Sequence, residues 1–140
     1  MTYTNALAII ETIRDLITAP VTALYPDITL NLDEPINLVY SDLPSISVYP
    51  LREDFQYEES FGSSDKKHLA VRVELRMKGG PASTVCTPVV NAIAAAIKAD
   101  VRLGGLATYV ELQSIQWGND TTGSGAVCGA AVDIQVQYLS

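Results

Sequence analysis

Alternation of apolar and polar residues is clearest near the C-terminal end of the sequence, where it predicts a long strand. The polar residues Asp133, Gln135 and Gln137 stand between apolar neighbours. The apolar residues that share the opposite face are Ala126, Cys128, Ala130, Val132, Ile134, Val136 and Tyr138. At about 3.3 Å per residue this strand spans roughly 40 Å. A compact domain of this length has a radius of gyration of only roughly 14 Å, so we expect the strand end to protrude and to pair with a neighbour.

A second alternating segment, residues 69–78, has one apolar face and one strongly charged face. Its apolar positions are Leu69, Val71, Val73, Leu75 and Met77, and the positions between them are Ala70, Arg72, Glu74, Arg76 and Lys78. The segment from Tyr109 to Trp117 is predicted to form a hairpin with the terminal strand around the polar turn Asn119–Gly125. A shift in the phase of alternation between Leu112 and Ile115 indicates a β-bulge.

Helical periodicity occurs twice. The first helix is predicted to start after an N-cap at Thr4 or Asn5 and to end before Pro20, with a buried stripe at Leu7, Ile10, Ile13 and Ile17. The second ends before Leu103-Gly104-Gly105-Leu106 and buries Val89 or Val90, Ile93, Ala94 and Ile97. Pro88 is either its first helical residue after a cap at Thr87, or a kink in a helix that begins near Ser83; we favour the kink.

The middle of the chain is predicted to be more irregular. Tyr25 to Pro44 suits a short edge strand and extended coil, with Ile28-Thr29-Leu30 and Leu38-Val39-Tyr40 as its apolar pieces. Ile46 to Tyr49 begins a strand that Pro50 disturbs and that Phe55 to Glu59 continues, before a Gly-, Ser- and charge-rich loop from Ser60 to Lys67. Gly79-Gly80-Pro81 ends the charged strand.

These elements predict an α+β fold: a single domain covering residues 1–140, with a mostly antiparallel β-sheet packed against two main helices on one face. With 140 residues and 48% hydrophobic content, the chain buries enough surface to fold without a metal or a disulfide. We therefore interpret Cys86 and Cys128 as free thiols in the core of an intracellular protein.

Charge and hydropathy narrow the classes of partner. A net charge of −7 counts against a sequence-independent nucleic-acid binder, which needs a basic surface to release counterions. Residues 1–5 lack a basic region, and Glu11, Arg14 and Asp15 interrupt the apolar run that follows. Neither a signal peptide nor a transmembrane helix is expected.

Candidate catalytic chemistry is sparse. His68, the only histidine, sits at the start of a strand beside two lysines and is interpreted as a surface residue. The acidic pairs Glu53-Asp54 and Glu58-Glu59 could hold a divalent cation, but neighbours in a strand point to opposite faces. The glycine-rich segments lack the lysine and the context of a P-loop. We predict no enzyme activity, no catalytic residue, no metal site and no cofactor.

The charged strand face is the feature that points to a function. If the two long strands pair, one sheet face mixes charges of both signs at regular spacing: Arg72, Glu74, Arg76, Lys78, Asp133 and Gln135. This face is either a solvated surface with weak cross-strand ion pairs or a polar subunit interface. The two interpretations have similar weight on the residues alone.

The order of elements resembles the tail terminator (tail completion) proteins of long-tailed bacteriophages. The resemblance rests on the N-terminal helix, Leu43-Pro44-Ser45-Ile46-Ser47-Val48-Tyr49, the strand from His68 to Met77, the helix from Val89 to Lys98, the stop Asp100-x-x-Leu103-Gly104-Gly105-Leu106 and the ending Val136-Gln137-Tyr138. Residues 19–43 match poorly, and Pro88 departs from the pattern.

This resemblance implies a structural virion protein. Its expected form is a homo-oligomeric ring, a hexamer, in the virion tail, assembled in the host cytoplasm. The expected partners are the tail tube protein, whose polymerisation the ring ends, and a head–tail connector protein, with no membrane. DNA would pass through the ring without specific binding, and we expect Asp54, Glu58 and Glu59 to face this lumen and repel phosphate.

Other functions remain open at this point. One is another neck or head-completion connector protein, which would bind the portal complex rather than the tube. A small metal-dependent enzyme that uses the acidic pairs is a further alternative, and a stand-alone ligand-binding module is weaker still.

Overall fold

A computed structural model describes residues 5–35, 42–56, 66–120 and 126–139 of the chain. The helices are α1 (Ala6–Leu24), α2 (Ala82–Val85) and α3 (Thr87–Ala99), and a 3₁₀ turn spans Leu103–Gly105. The strands are β1 (Thr29–Asn31), β2 (Ser45–Gln56), β3 (Lys66–Lys78), β4 (Tyr109–Asp120) and β5 (Val127–Leu139).

The strands form one five-stranded sheet in the order β1-β2-β3-β5-β4. The short β1 runs parallel to β2, and every other neighbouring pair is antiparallel. Helices α1 and α3 pack against each other and against one face of the sheet, which we call the inner face. The predicted α+β class, with a mostly antiparallel sheet and two main helices on one face, is confirmed.

The inner face of the two central strands is covered along its whole length. Every inward side chain from Cys128 to Tyr138 on β5 is buried, and so are those from Leu69 to Met77 on β3. Tyr138, near the end of β5, donates a hydrogen bond to Glu53 of β2 and lies under the ammonium of Lys67, which is 5.8 Å from the ring centroid. The strand end, which was expected to protrude and to pair with a neighbour, has partners within the chain: β5 pairs with β3 as far as Leu139, and side chains from β2 and β3 cover its inner face.

Helix α1 begins as predicted and ends later. The Asn5 side chain caps it by accepting a hydrogen bond from the Ala8 N–H at 2.9 Å. Pro20, predicted to follow the helix, lies inside it. The helix continues because Val21 extends the buried stripe by one more turn. Leu7, predicted to belong to that stripe, is 58% exposed, because it lies about 90° around the helix from the centre of the buried residues.

The second helical region combines both sequence interpretations of Pro88. Helical residues begin at Ala82, close to the predicted early start, and the helix breaks at Cys86, which ends α2 and precedes α3. Pro88 then lies in the first turn of α3, where the missing N–H has no helical partner to lose. The stripe Val89, Val90, Ile93 and Ile97 is buried, and Ala94 is half-buried.

Both predicted strand irregularities are present. Register shifts fall between Pro50 and Arg52 in β2 and between Leu112 and Ser114 in β4. The strand ends beside the predicted loop and turn differ from the expected ones. Lys66 and Lys67 belong to β3, where they pair with Leu139 and Tyr138 of β5. Asn119 and Asp120 belong to β4.

Several predicted features lie outside the described residues. These are the apolar piece at residues 38–40, residues 60–65 of the loop, residues 121–125 of the turn, and the carboxylates Glu58 and Glu59. Within the described ranges, no helix combines the length and the hydropathy that a membrane crossing requires.

Candidate functional site

The predicted charged residues do share one surface, the face of the sheet turned away from the helices, which we call the outer face. Arg72, Glu74 and Arg76 of β3 alternate with buried inward residues. On β5, Asp133 pairs in register with Arg72, and Gln135 pairs with Ala70. Lys78 ends β3 and is exposed. The sheet therefore brings five of the six predicted interface residues together on two neighbouring strands, with Lys78 at their margin.

Four residues at one level of the sheet form a polar row across the outer face. The Arg72 guanidinium donates to both carboxylate oxygens of Asp133, from Nε at 2.8 Å and from Nη2 at 3.0 Å. It also donates a hydrogen bond to the hydroxyl oxygen of Tyr49 on β2. Ser114 Oγ of β4 donates to Asp133 at 3.4 Å. The row thus links β2, β3, β5 and β4.

Arg72 and Asp133 form a charged pair that is mostly shielded from solvent. The hydrogen bond to Asp133 raises the pKa of Arg72, and burial raises the pKa of Tyr49. The side chains of Arg72 and Asp133 are only 25% and 18% exposed. Such a pair fixes strand register and is largely unavailable to a partner.

An open groove of about 360 Å³ lies beside this row on the outer face. Its lining includes the small residues Gly118 of β4 and Gly129 and Ala131 of β5. Arg76 of β3 and Gln116 of β4 also line it. A Cβ at Gly129 would lie 2.7 Å from the Leu75 carbonyl oxygen, so only glycine fits there without a shift. The groove therefore depends on close contact between β3 and β5.

Glu74 supplies an unfilled acceptor in this groove. Its Oε2 is buried and has no hydrogen-bond partner among the described residues; the nearest cation is Arg76 Nη2, at 3.9 Å. By contrast, Ser45, Ser47 and Tyr49 on the same face of β2 are 1%, 2% and 7% exposed. The outer surface available to a partner therefore lies on β3, β5 and β4, together with Arg52 and Asp54 near the end of β2.

Exposed apolar side chains at the two edges of the sheet are a further feature, which sequence reasoning missed. Among the described residues, eight large apolar side chains are prominently exposed, and five of them lie on the flanking strands β2 and β4: Leu51 (45%), Phe55 (51%), Tyr109 (49%), Ile115 (38%) and Trp117 (46%). Ile115 and Trp117 pair with Val132 and Ala130, so they are on the inner face as their alternation predicts. The alternation does not indicate that the helices leave this part of β4 uncovered.

The residues proposed to line a lumen are only partly described. Asp54 lies on β2, and its carboxylate pairs with the Arg52 guanidinium at 2.8 Å; the side chains are 53% and 75% exposed. Glu53, its neighbour, instead accepts a hydrogen bond from Tyr138 on the inner face. The two carboxylates therefore separate to opposite faces, as expected for a strand. No group of three potential metal ligands occurs among the described residues.

His68 is less exposed than the sequence suggested. It lies within β3, between Asp54 and Gln137 of the adjacent strands, rather than on the loop before it. Its Nε2 is buried, without a hydrogen-bond partner in the described ranges. His68 is thus half-buried on the outer face of the sheet, and β3 begins before it rather than after it.

The two cysteines are buried and adjacent. Cys86, between α2 and α3, and Cys128, on β5, place their sulfur atoms 3.5 Å apart as free thiols. Burial raises the pKa of Cys86 to about 12, and the contact with Cys128 adds to the shift. A thiol with this pKa is about 0.01% thiolate at about pH 8, and the thiolate is the reactive form.

We therefore expect both thiols to resist labelling in the folded chain. Ellman's reagent at about pH 8 should titrate almost no thiol in native buffer and both thiols in concentrated urea, since unfolding exposes both and returns Cys86 to its ordinary pKa. Rapid native labelling, at the rate seen in urea, would contradict the buried arrangement.

The chain was compared with known proteins. No protein-family model matches it, and no curated protein sequence does. A chain in the solved structure "Virion of native gene transfer agent (GTA) particle" is similar with a TM-score of 0.46 and 12% sequence identity, over 96% of this chain and 98% of that chain. A likeness at this level shows no family membership.

Proposed function

We propose that this chain is a structural protein of a phage-like virion, and more narrowly a tail terminator. It assembles into a homo-oligomeric ring, a hexamer, on the end of the tail tube. The ring ends tube polymerisation and presents the surface that joins the head connector. It acts by binding, without catalysis or a cofactor, and is assembled in the host cytoplasm.

The observation that carries the proposal is the distribution of exposed apolar side chains. Five of the eight prominently exposed ones among the described residues lie on β2 and β4, which flank the central strands on opposite sides. A subunit with apolar residues toward two different edges can bind one copy at each edge, and such heterologous contacts form a ring when the rotation between copies closes. The sequence resemblance supports the narrower assignment, since each element that carries it is a helix, strand or turn in the order expected.

The polar surfaces have separate roles in this proposal. The outer face of β3 and β5, with the groove that contains Glu74, contacts the component of the tail that lies next to the ring. Asp54, Glu58 and Glu59 line the lumen. Carboxylates there keep DNA from adhering during passage, whereas a basic lining would bind it with salt-dependent affinity.

A tube-growth assay tests this function. Tail tube protein of the same virion is polymerised with and without the purified chain, and tube lengths are measured by electron microscopy. We expect the chain to shorten the length distribution and to occupy one end of each tube, with half-maximal effect near one ring per tube. Tube lengths that do not change at any ratio of chain to tube protein would refute the terminator assignment.

Two further measurements, portal binding and metal titration, separate the alternatives. A neck or head-completion protein would bind purified portal complexes and leave tube lengths unchanged. A metal-dependent enzyme would instead show saturable heat on calorimetric titration with Mg²⁺ or Mn²⁺, which the proposal does not predict.

A further inference from the structure

We infer that the ring joint is a continuation of the sheet: β4 of one copy pairs, antiparallel, with residues 48–56 of β2 in the next copy. This inference rests on the proposed ring and names the two edges that form it. It replaces the expectation that the ends of the central strands form the joint, since the inner face of those strands is covered within the subunit.

Strand direction favours this joint. Successive antiparallel pairings from β2 through β3 and β5 to β4 make β4 run opposite to β2. A second copy placed beside the first in the same orientation therefore brings its β2 antiparallel to β4. Unpaired strand edges carry rows of free N–H and C=O groups that form such ladders readily.

Apart from its bulge between Leu112 and Ser114, the β4 edge lacks the usual protection against pairing. Its sequence from Tyr109 to Asp120 contains no lysine, arginine or proline, the residues that commonly keep an edge strand from joining another sheet. Ile115 and Trp117 are also uncovered on its inner face. A neighbouring strand would bury these side chains and satisfy the free backbone groups together.

Strand β1 determines where the neighbour can sit. It pairs only with Ser45, Ile46 and Ser47 and so occupies the first part of the β2 edge. In one subunit Trp117 is level with Ile46, across Ala130 and Leu75. An incoming β4 must therefore slide towards the end of β2, and by an even number of residues, since an odd shift would turn Ile115 and Trp117 to the outer face. A shift of four or six residues, about 13–20 Å, brings Ile115 level with Glu53 or Phe55, so that exposed apolar residues of the two edges meet.

Disulfide trapping tests the joint directly. Arg52→Cys and Gln116→Cys place one thiol on the outer side of each edge, and both native residues are exposed. Within one chain the two positions are separated by three strand spacings, about 14 Å, and a disulfide needs Cα atoms within about 7 Å. Oxidation with diamide, which takes up the two electrons and two protons of each thiol pair, can thus link them only between copies. A second pair, Asp54→Cys with Gln116→Cys, tests a register that is shifted by two residues along β2.

For the double variants, oxidised in the presence of tail tubes, we expect a non-reducing gel ladder that reaches the mass of the closed ring. The parent chain, each single variant, and Gln116→Cys combined with Asn91→Cys on α3 should remain monomeric. A strong dimer from Gln116→Cys alone would overturn the inference in favour of a two-fold joint between β4 strands.

The outcomes separate this inference from the proposed function. Tubes that are capped by closed rings with no ladder from either pair would refute the sheet joint and leave the terminator assignment standing. A ladder from a variant whose parent chain never shortens tubes would support the joint and refute the terminator assignment.

Discussion

Replacing Arg72 with methionine is expected to lower the free energy of unfolding by about 2–3 kcal/mol, because it leaves the Asp133 carboxylate half-buried without its bidentate partner. Methionine keeps most of the volume of the arginine stem, so the loss reports the charge and its hydrogen bonds rather than a cavity. Urea denaturation followed by circular dichroism measures it as a lower midpoint at an unchanged m-value.

The chain offers a matched control for this prediction. Arg52→Met removes the same chemical group from the exposed pair with Asp54, and surface pairs contribute about 0–1 kcal/mol. Arg72→Met combined with Asp133→Leu should recover part of the loss, since no unpaired charge remains. Equal effects of Arg72→Met and Arg52→Met would show that the polar row does not hold the strands together.

Gly129→Ala is expected to lower the free energy of unfolding by about 2 kcal/mol, a typical cost of overpacking. Its new Cβ would lie 2.7 Å from the Leu75 carbonyl oxygen, which belongs to the backbone of the neighbouring central strand. Neither strand can move away easily, because each is paired on both sides. Thermal and urea unfolding of the variant measure the loss.

Gly118→Ala is the control for this substitution. Gly118 pairs directly with Gly129, but a Cβ there meets nothing within 4 Å. We expect its stability to stay within about 0.5 kcal/mol of the parent, or to rise slightly as the unfolded chain loses freedom. Destabilisation by Gly118→Ala as large as that by Gly129→Ala would contradict the close contact between β3 and β5.

Sequence periodicity predicted the central strands well because successive residues point alternately to an apolar and to a polar environment. Inward residues of β3 and β5 meet the helices and outward ones lie on the polar outer face of the sheet, so a period of two records both faces. The irregularities in β2 and β4 were also predicted, since a proline marks the first and a phase shift marks the second. Pro20 misled the prediction because packing of Val21 outweighed the hydrogen bond that the proline lacks.

The candidate surfaces were harder to predict from the chain. The pairing of Arg72 with Asp133 depends on register between strands 61 residues apart in sequence, which composition alone does not determine. The exposure of Trp117 depends on how much of β4 the helices cover, and an alternating pattern reports only which face a side chain shares. The need for glycine at position 129 follows from a backbone atom of another strand, which has no local signature.

The central claim, a closed ring on the tail tube, is tested most directly by electron microscopy of tube ends after mixing with the chain, together with the native mass of the cap. The account predicts a ring of copies, six by mass, at one end of each tube, whose density averages show a closed annulus with an open centre. Tube ends that stay bare while the chain remains a compact monomer, at chain concentrations well above that of the tube ends, would contradict it.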